Sequence, residues 1–371
     1  MKSFTENTVK PLRGAVIGYG FISSKGHIPA YLKRAQSQQD VEIIAVADIC
    51  EARRASAQEA LPKARVYSDY RALLRSEAGN LDFVDISTPP CDHAEIAHAA
   101  FDHGLHVLCE KPLAVSLEEA GALLKHAMKA QRVLFPCHNY KHAPVVTAIG
   151  DIIASGKIGT VRSITLNTFR NTHAKGVPEW KTHWRRDRKY SGGGIAMDHG
   201  SHSFYLTFDW MGQYPTAVTA KMSNQEASKY DTEDGFSAVL SFPHGTAHTQ
   251  LSWTAGVRKV IYTVQGACGA ITVDDDELQV AVMRRTDGPE VAQGAVTWDV
   301  EKRSIASHWM DASHVSWFNS LFDQFKEAIK TGDFVGQEAR EAYLCIQIIV
   351  AAYRSAEEGC REISFNPGVR N

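Results

Sequence analysis

The sequence has no Cys-x-x-Cys pair. Its 7 cysteines are odd in number and scattered, at positions 50, 91, 109, 137, 268, 345 and 360, which excludes both a disulfide framework and a zinc knuckle. They suit a reducing compartment, so a cytoplasmic location is expected. No stretch of uninterrupted apolar residues is long enough to span a bilayer, and residues 1 to 12 carry Lys2, Glu6 and Lys10 without an apolar core. Neither membrane insertion nor export is expected. An excess of one charge is missing too: 40 basic against 42 acidic residues give a formal charge of −2. With no arginine- or lysine-rich block, the electrostatic footprint of a nucleic-acid binder is absent. Internal repeats, low-complexity stretches and long linkers are also lacking.

What remains is the composition of an ordinary globular protein, 44% hydrophobic and 22% charged over 371 residues, long enough for two domains. Residues 13 to 136 alternate short β-branched runs with amphipathic stretches, the pattern of βαβ units around a parallel sheet. The expected strands are Ala15 to Ile17, Glu42 to Ala47, Val66 alone, Phe83 to Ile86, Leu105 to Leu108 and Val133 to Phe135. Helices are expected to begin near Phe21, Glu51, Ser68, Asp92 and Ser116; the last opens with a serine cap ahead of Glu118 and Glu119, which favour the positive end of the helix dipole. After about residue 150 the period shortens. Phe236, Ala238, Leu240 and Phe242, then Ala247, Thr249, Leu251 and Trp253, flank Pro243-His244-Gly245 as an antiparallel hairpin with one buried face. Runs at Val161 to Phe169, Val260 to Val264, Ala270 to Val273 and Leu278 to Met283 extend it, and two helices at about 313 to 330 and 337 to 358 close the chain. The fold class is therefore α/β: a doubly wound parallel sheet in residues 1–137, then an α+β domain with a large, open, mostly antiparallel sheet in residues 138–371. The two should share an intimate interface with the active site between them.

Gly18-Tyr19-Gly20-Phe21-Ile22-Ser23 lies between a strand and a helix. There Gly18 permits a tight turn and Gly20 lets backbone N–H groups approach a pyrophosphate at the helix's positive end. An unrelated glycine-rich turn would look the same, and Ser23 replaces the third glycine of the dinucleotide fingerprint. Asp48 ends the second strand, where a carboxylate accepts hydrogen bonds from the adenosine ribose and repels a 2′-phosphate. It follows Gly18 by more than the roughly 20 residues of the usual spacing, so the first helix or its loop must be long. Asp48 favours NAD; Arg53 and Arg54, just beyond, leave NADP open.

Lys111, in Cys109-Glu110-Lys111-Pro112, is the strongest catalytic candidate. A lone lysine is normally a solvated surface residue, but this one stands at the carboxyl end of an internal strand, where open α/β sheets bind ligands. The second constellation runs from Ser191 to His202, a glycine-rich loop entering an amphipathic helix. Asp198 and His202, four apart, share one helix face. A neutral imidazole there takes a hydroxyl proton as hydride leaves carbon, and a carboxylate orients it. The competing readings are a capping and packing pair, or His199 and His202 as two ligands of a metal. Metal ranks lower, since no further ligand stands at the right spacing and nicotinamide chemistry needs none. His138-Asn139-Tyr140-Lys141 and the segment from Trp180 to Arg188 supply groups that hold polyhydroxylated ligands.

Gly18-Tyr19-Gly20, Ala47-Asp48, Ser87-Thr88-Pro89-Pro90 with His93, Glu110-Lys111-Pro112, Gly156-Lys157-Ile158-Gly159, Trp184-Arg185 and Ser191 to His202 together resemble the Gfo/Idh/MocA oxidoreductases over nearly the whole length. The resemblance implies a Rossmann domain, a C-terminal domain with an open mixed sheet, and homo-oligomers (dimer or tetramer) built through that sheet. It implies NAD(P)-dependent hydride transfer at a secondary carbinol of a sugar, sugar nucleotide or cyclitol. Lys111, Asp198 and His202 then form the catalytic group: His202 as acid/base, Lys111 polarising the reacting oxygen, Asp198 positioning substrate and imidazole. The cofactor residues implied are Gly18, Gly20, Phe21, Ile22, Asp48, Arg53, Ser87, Thr88, Pro89, His93, Glu110, Lys111, Asn139, Trp184 and Arg185. The substrate residues are Lys111, Tyr140, Arg170, His183, Asp198 and His202. Pro90 departs from the family's more usual asparagine. Two rival functions remain: an NAD-retaining glycosidase that works by transient oxidation and elimination, and a nicotinamide-responsive binding protein, whose mark would be loss of Lys111 or His202.

Overall fold

The computed structural model describes residues 10–285, 296–307, 309 and 314–368. Lys2, Glu6 and residue 313, the expected start of the first closing helix, lie outside the described residues.

The first sheet holds β1 (Leu12–Ile17), β2 (Val41–Ala47), β3 (Arg65–Tyr67), β4 (Phe83–Ile86), β5 (His106–Cys109) and β6 (Leu134–Pro136) in the order β3-β2-β1-β4-β5-β6. Every neighbouring pair is parallel. β4 is buried along its whole length, as a parallel sheet covered on both faces requires. Strand order reverses between β1 and β4, which opens a crevice at their carboxyl ends.

Helical backbone starts at Phe21, as the sequence predicts, and passes through a wide π-helical stretch, Ser23–His27, before α1 (Ile28–Ser37). That long first helix accounts for the extra spacing to Asp48. α2 (Glu51–Ala60), α3 (Tyr70–Glu77), α4 (His93–Asp102) and α5 (Leu117–Ala130) follow their strands. Ser116 caps α5 as expected, its Oγ accepting the Glu119 N–H at 3.1 Å. α3 is capped by Asp69, which accepts from the backbone of Arg71 and Ala72, so that helix begins two residues beyond the expected Ser68.

After α6 (Pro144–Ala154), the chain builds a nine-stranded sheet with the order β14-β13-β12-β11-β7-β10-β9-β8-β15. Its strands are β7 (Val161–Phe169), β8 (Ala217–Ser223), β9 (Gly235–Phe242), β10 (Gly245–Ser252), β11 (Lys259–Gly266), β12 (Gly269–Asp274), β13 (Glu277–Arg285), β14 (Val296–Ser304) and β15 (Ile363–Ser364). Only β7 and β10 run parallel among the neighbours described. Phe242 sits opposite Gly245 in the expected hairpin. β8, β14 and β15 go unmarked in the sequence reading: β15 has two residues, and β14, at the sheet edge, interleaves Asp299, Glu301 and Arg303 with its apolar positions.

α7 (Arg188–Ser191) leads into α8 (Ile195–Met211), which is buried along nearly all its length against this sheet. The two closing helices, α9 (Val315–Thr331) and α10 (Gln337–Glu357), lie where the sequence predicts. α9 returns to the first sheet and packs Phe318, Phe322 and Phe325 among Val16, Tyr31 and Phe83. α10 serves both halves: Ala339, Ala342 and Ile346 join the core with Leu123 and Ala127 of α5, while Leu344, Ile348 and Ile349 join the core of the larger sheet. Each large apolar side chain so buried contributes about 1.5–3 kcal/mol, and the two sheets are thereby tied to one helix. No helix among the described residues is long and apolar enough to cross a membrane.

Candidate active site

A cleft of about 770 Å³ runs from the glycine turn after β1 to the first turns of α8. At its first end, Gly18 has φ +93°, and a Cβ there would stand 2.8 Å from the Ser87 carbonyl and the Thr88 nitrogen. Only glycine fits. A Cβ on Gly20 would meet nothing within 4 Å, so the backbone at the start of the helix is open to the cleft, where an anion finds free N–H groups. Asp48 accepts the Tyr19 N–H on one oxygen at 2.6 Å and the Cys50 N–H on the other at 2.7 Å. Each oxygen keeps a lone pair for a ribose hydroxyl. Phe21, Ile22, Ser87, Pro89 and Arg53 also line this end; Arg53 lies over the Tyr19 ring and donates to its carbonyl at 2.8 Å. Arg54 turns back onto the Asp48 and Ile49 carbonyls. Thr88 lines the cleft, and its hydroxyl is buried with no hydrogen-bond partner among the described residues. Open glycine backbone, a carboxylate with spare lone pairs and an unpaired hydroxyl fit a dinucleotide. Ser23, where the fingerprint has its third glycine, is fully buried in the helical turn.

His93 does not line the cleft. Its ring nitrogens lie 2.8 and 2.9 Å from the carbonyl oxygens of Pro112 and Thr88, so it ties two cleft-lining turns together from behind. Glu110 does line it, and also anchors its neighbour: one oxygen accepts the Lys111 N–H at 3.1 Å, and the other is 3.1 Å from Nε2 of His27. Nδ1 of His27 is 2.7 Å from Asp85, which also accepts the Tyr31 hydroxyl at 2.7 Å. Burial alone would lower the His27 pKa, but Asp85 and Glu110 outweigh it and raise it to about 9. A buried imidazolium clamped by two carboxylates thus stands beneath the turn that carries Lys111.

At the other end, Lys111 Nζ donates to the Asp198 carbonyl at 2.7 Å and to Oδ1 of the same residue at 3.3 Å. Arg185 Nε is 3.4 Å from that oxygen, and His199 Nε2 is 3.7 Å from the other. Burial opposes charge on Asp198, yet Lys111, Arg185 and His199 hold its carboxyl far below the usual carboxylate range. His202 is stacked on Tyr140, ring centroids 3.8 Å apart, and its Nδ1 lies 2.6 Å from the Tyr205 hydroxyl. Burial, then the Lys111 charge, push its pKa well below the ordinary histidine value, so the ring is neutral at pH 7. The glycine run before α8 has a steric reason: a Cβ on Gly194 would meet the Glu233 carbonyl oxygen at 1.9 Å, and one on Gly193 the Tyr353 hydroxyl at 2.0 Å. The Glu233 carboxylate, in turn, accepts the N–H groups of Gly194 and Ala196 at 3.0 Å and caps α8 from a distant loop.

Asn139, Tyr140, Arg170, Trp184 and Arg185 line the cleft; His183 does not, and pairs through Nδ1 with His173 at 2.9 Å. His138 and Lys141 face away towards α10, where Lys141 Nζ lies 2.8 Å from Glu338 and 2.6 Å from Glu341. The sequence reading missed Tyr205, Arg258, Trp253 and Trp309. Tyr205 has a local signal, three positions after His202 on one helix; the others reach the cleft from remote loops. Metal-ligating atoms cluster elsewhere among the described residues, at His27-Glu110-Cys137 and His138-Glu338-Glu341, and in the second group the Lys141 ammonium already supplies the cation.

Comparison with known proteins agrees with this layout. The pattern described as "Oxidoreductase family, NAD-binding Rossmann fold" matches residues 12–138, and "Oxidoreductase family, C-terminal alpha/beta domain" matches residues 151–363. D-xylose 1-dehydrogenase (NADP(+)) 2 of Haloferax volcanii is 28% identical over 351 residues, 93% of this chain and 97% of that one. D-glucoside 3-dehydrogenase of Escherichia coli is 25% identical over 382 residues, 95% of this chain and 98% of its own. Among solved structures, levoglucosan dehydrogenase in complex with NADH and levoglucosan shares the fold, with a TM-score of 0.79 at 23% identity over 95% of this chain and 99% of that chain. The chain belongs to the Gfo/Idh/MocA family of oxidoreductases, a Rossmann NAD-binding fold followed by the family's C-terminal alpha/beta domain.

Proposed function

We propose that the protein is a dehydrogenase or reductase that moves a hydride between NAD and a secondary carbinol of a sugar, sugar nucleotide or cyclitol. One observation carries this reading: the Lys111 ammonium against Asp198, and a neutral His202, face the same cleft as the open Gly18–Gly20 turn. Nicotinamide, when bound, accepts or supplies the hydride. Gly18, Gly20, Asp48, Ser87 and Thr88 hold the dinucleotide. Lys111 donates a hydrogen bond to the reacting oxygen and stabilises the negative charge that grows on it. In oxidation, the hydroxyl proton passes to Nε2 of His202, the C–H pair leaves carbon as hydride, and the C–O bond becomes a carbonyl; reduction reverses each transfer. Tyr205 fixes the imidazole orientation through Nδ1, and Asp198 holds Lys111 and Arg185 in place.

Support for carbohydrate substrates comes from the full-length relatives, which are named for xylose, apiose and glucosides. Those names give no support to the glycosidase alternative. Asp48, whose carboxylate would repel a 2′-phosphate, favours NAD over NADP, although Arg53 and Arg71 line the same end of the cleft. In this reading residues 1–137 bind cofactor and 138–371 bind substrate, and the protein works in the cytoplasm. It assembles as a dimer or tetramer through the larger sheet, where Trp298 and Val300 lie 57% and 53% exposed on edge strand β14. The test is NADH or NADPH absorbance over a panel of aldoses, glycosides and cyclitols. Turnover with at least one is expected; no turnover together with no NAD binding rejects the reading.

A further inference from the structure

Charge is distributed unevenly along the cleft. Asp48, Asp69, Asp92 and Glu95 lie on the cofactor side, and Glu110 is engaged with His27. Beyond the catalytic turn, Asp198 is the one carboxylate among the described lining residues, and Lys111 and Arg185 already neutralise it. Two further guanidinium groups face the same space, Arg170 at the end of β7 and Arg258 in the loop before β11. Neither has a carboxylate within ion-pair distance among the described residues. Arg170 donates to the carbonyl of its own neighbour, Phe169, at 2.9 Å, and Arg258 to the Trp309 carbonyl at 2.9 Å. Nε of Arg258 is buried with no hydrogen-bond partner among the described residues.

This is an unfavourable arrangement for a site that holds only neutral hydroxyls. Two like charges share a partly desolvated space, and the burial of Arg258 and the charge of Arg170 together lower the Arg258 pKa. Such groups are normally matched by a carboxylate or a phosphate, whose planar or trigonal oxygens fit the guanidinium fork. The cofactor's pyrophosphate is placed elsewhere: it belongs at the Gly18–Gly20 turn. The charge of Arg170 is felt instead at His199, beside Asp198, and that of Arg258 sits against Trp309, which packs on Tyr140 above His202. Both arginines therefore face the substrate space beside the catalytic residues, Arg170 towards His199 and Arg258 towards Tyr140.

Building on the dehydrogenase reading above, we propose that the substrate is an acidic sugar derivative, with its carboxylate or phosphate held between Arg170 and Arg258 while the carbinol faces Lys111 and His202. The reaction is unchanged, one hydride and one proton leaving the CH–OH group, and the anionic group is a spectator. Its effects are affinity and orientation, and a rise in association rate that salt screens.

The test compares matched pairs with NAD⁺: D-glucose against D-glucuronate, D-galactose against D-galacturonate, with D-gluconate and D-glucose 6-phosphate added. Calorimetric binding of the same compounds to the NADH-loaded protein runs alongside. An acidic member is expected to exceed its neutral counterpart in kcat/KM by about 10- to 100-fold, the scale of a lost charge-assisted hydrogen bond. Arg258→Met should collapse that ratio by a similar factor, as should Arg170→Met. A carboxylate preferred over the phosphate assigns a uronic or aldonic acid, and the reverse order assigns a sugar phosphate. Turnover of neutral sugars as good as or better than the acids overturns this proposal and leaves the dehydrogenase reading intact. Anion-selective binding with no turnover does the opposite, and absence of both binding and turnover overturns the two together.

Discussion

His27 and His202 are both buried, yet their surroundings drive them in opposite directions. At His202, burial and the Lys111 charge act together to disfavour the imidazolium. A base must be neutral to take a proton, and a lowered pKa extends that neutral form below the ordinary value of about 6.5. The expected outcome is a kcat/KM for oxidation that stays level from about pH 8 down to about pH 6; an acid limb centred above the ordinary histidine value would contradict the assignment. Tyr205→Phe removes the hydroxyl that orients the ring, and kcat should fall roughly tenfold while NAD affinity holds. An equal loss in both would make Tyr205 merely structural. His27 behaves conversely: Asp85 and Glu110 overcome burial and raise its pKa to about 9. Its stabilising effect is complete below the unfolded value of about 6.5 and fades as pH climbs towards about 9. The Tm gap between wild type and His27→Gln should therefore shrink across that interval, and a constant gap would show that no proton is involved. These roles were half legible in the sequence. Lys111, Asp198 and His202 stand out by motif and spacing, but His27, Tyr31 and Asp85 converge only through the strand order.

At the scale of elements, α10 is the member that makes one body of two sheets, and its N-terminus is pinned by charge. Lys141 meets Glu338, Glu341 and Asp209 at 2.8, 2.6 and 3.4 Å, with Glu341 fully buried. Lys141→Met would leave the buried Glu341 carboxylate without its cation and should cost about 3–5 kcal/mol in urea unfolding. A loss below about 1 kcal/mol, the level of an exposed pair, would place these charges in water. Capping shows where sequence reading succeeds and stops. Ser116 announces the start of α5 because cap and helix are neighbours in the chain, whereas α8 is capped by Glu233, which no local pattern connects to Gly194. The parallel strands were readable from their apolar runs. β14 was not, since an edge strand can carry charged residues and still complete its ladder.

Over the whole molecule, strand order reverses between β1 and β4, and α9 and α10 cover opposite sides of the Rossmann sheet after the chain has built the second one. The carboxyl ends of β1, β4 and β5 then face the first turns of α8, so the glycine turn and Lys111 meet Asp198 and His202 in one cleft. The alternation of strands and helices made the first sheet legible, the two-residue period most of the second, and the motifs supplied both ends of the site. The lining of the substrate end, with Arg258, Trp253 and Trp309, depends on loops whose placement is set by the nine-strand order rather than by any local period. Central to the account is that Lys111 acts in the chemical step and not in holding the cofactor. The direct measurement is single-turnover NADH formation by Lys111→Ala, with NAD⁺ affinity determined on the same sample. The account predicts a rate lower by roughly 10²- to 10³-fold with affinity within a few-fold of wild type; an unchanged rate, or a loss confined to NAD⁺ binding, would contradict it.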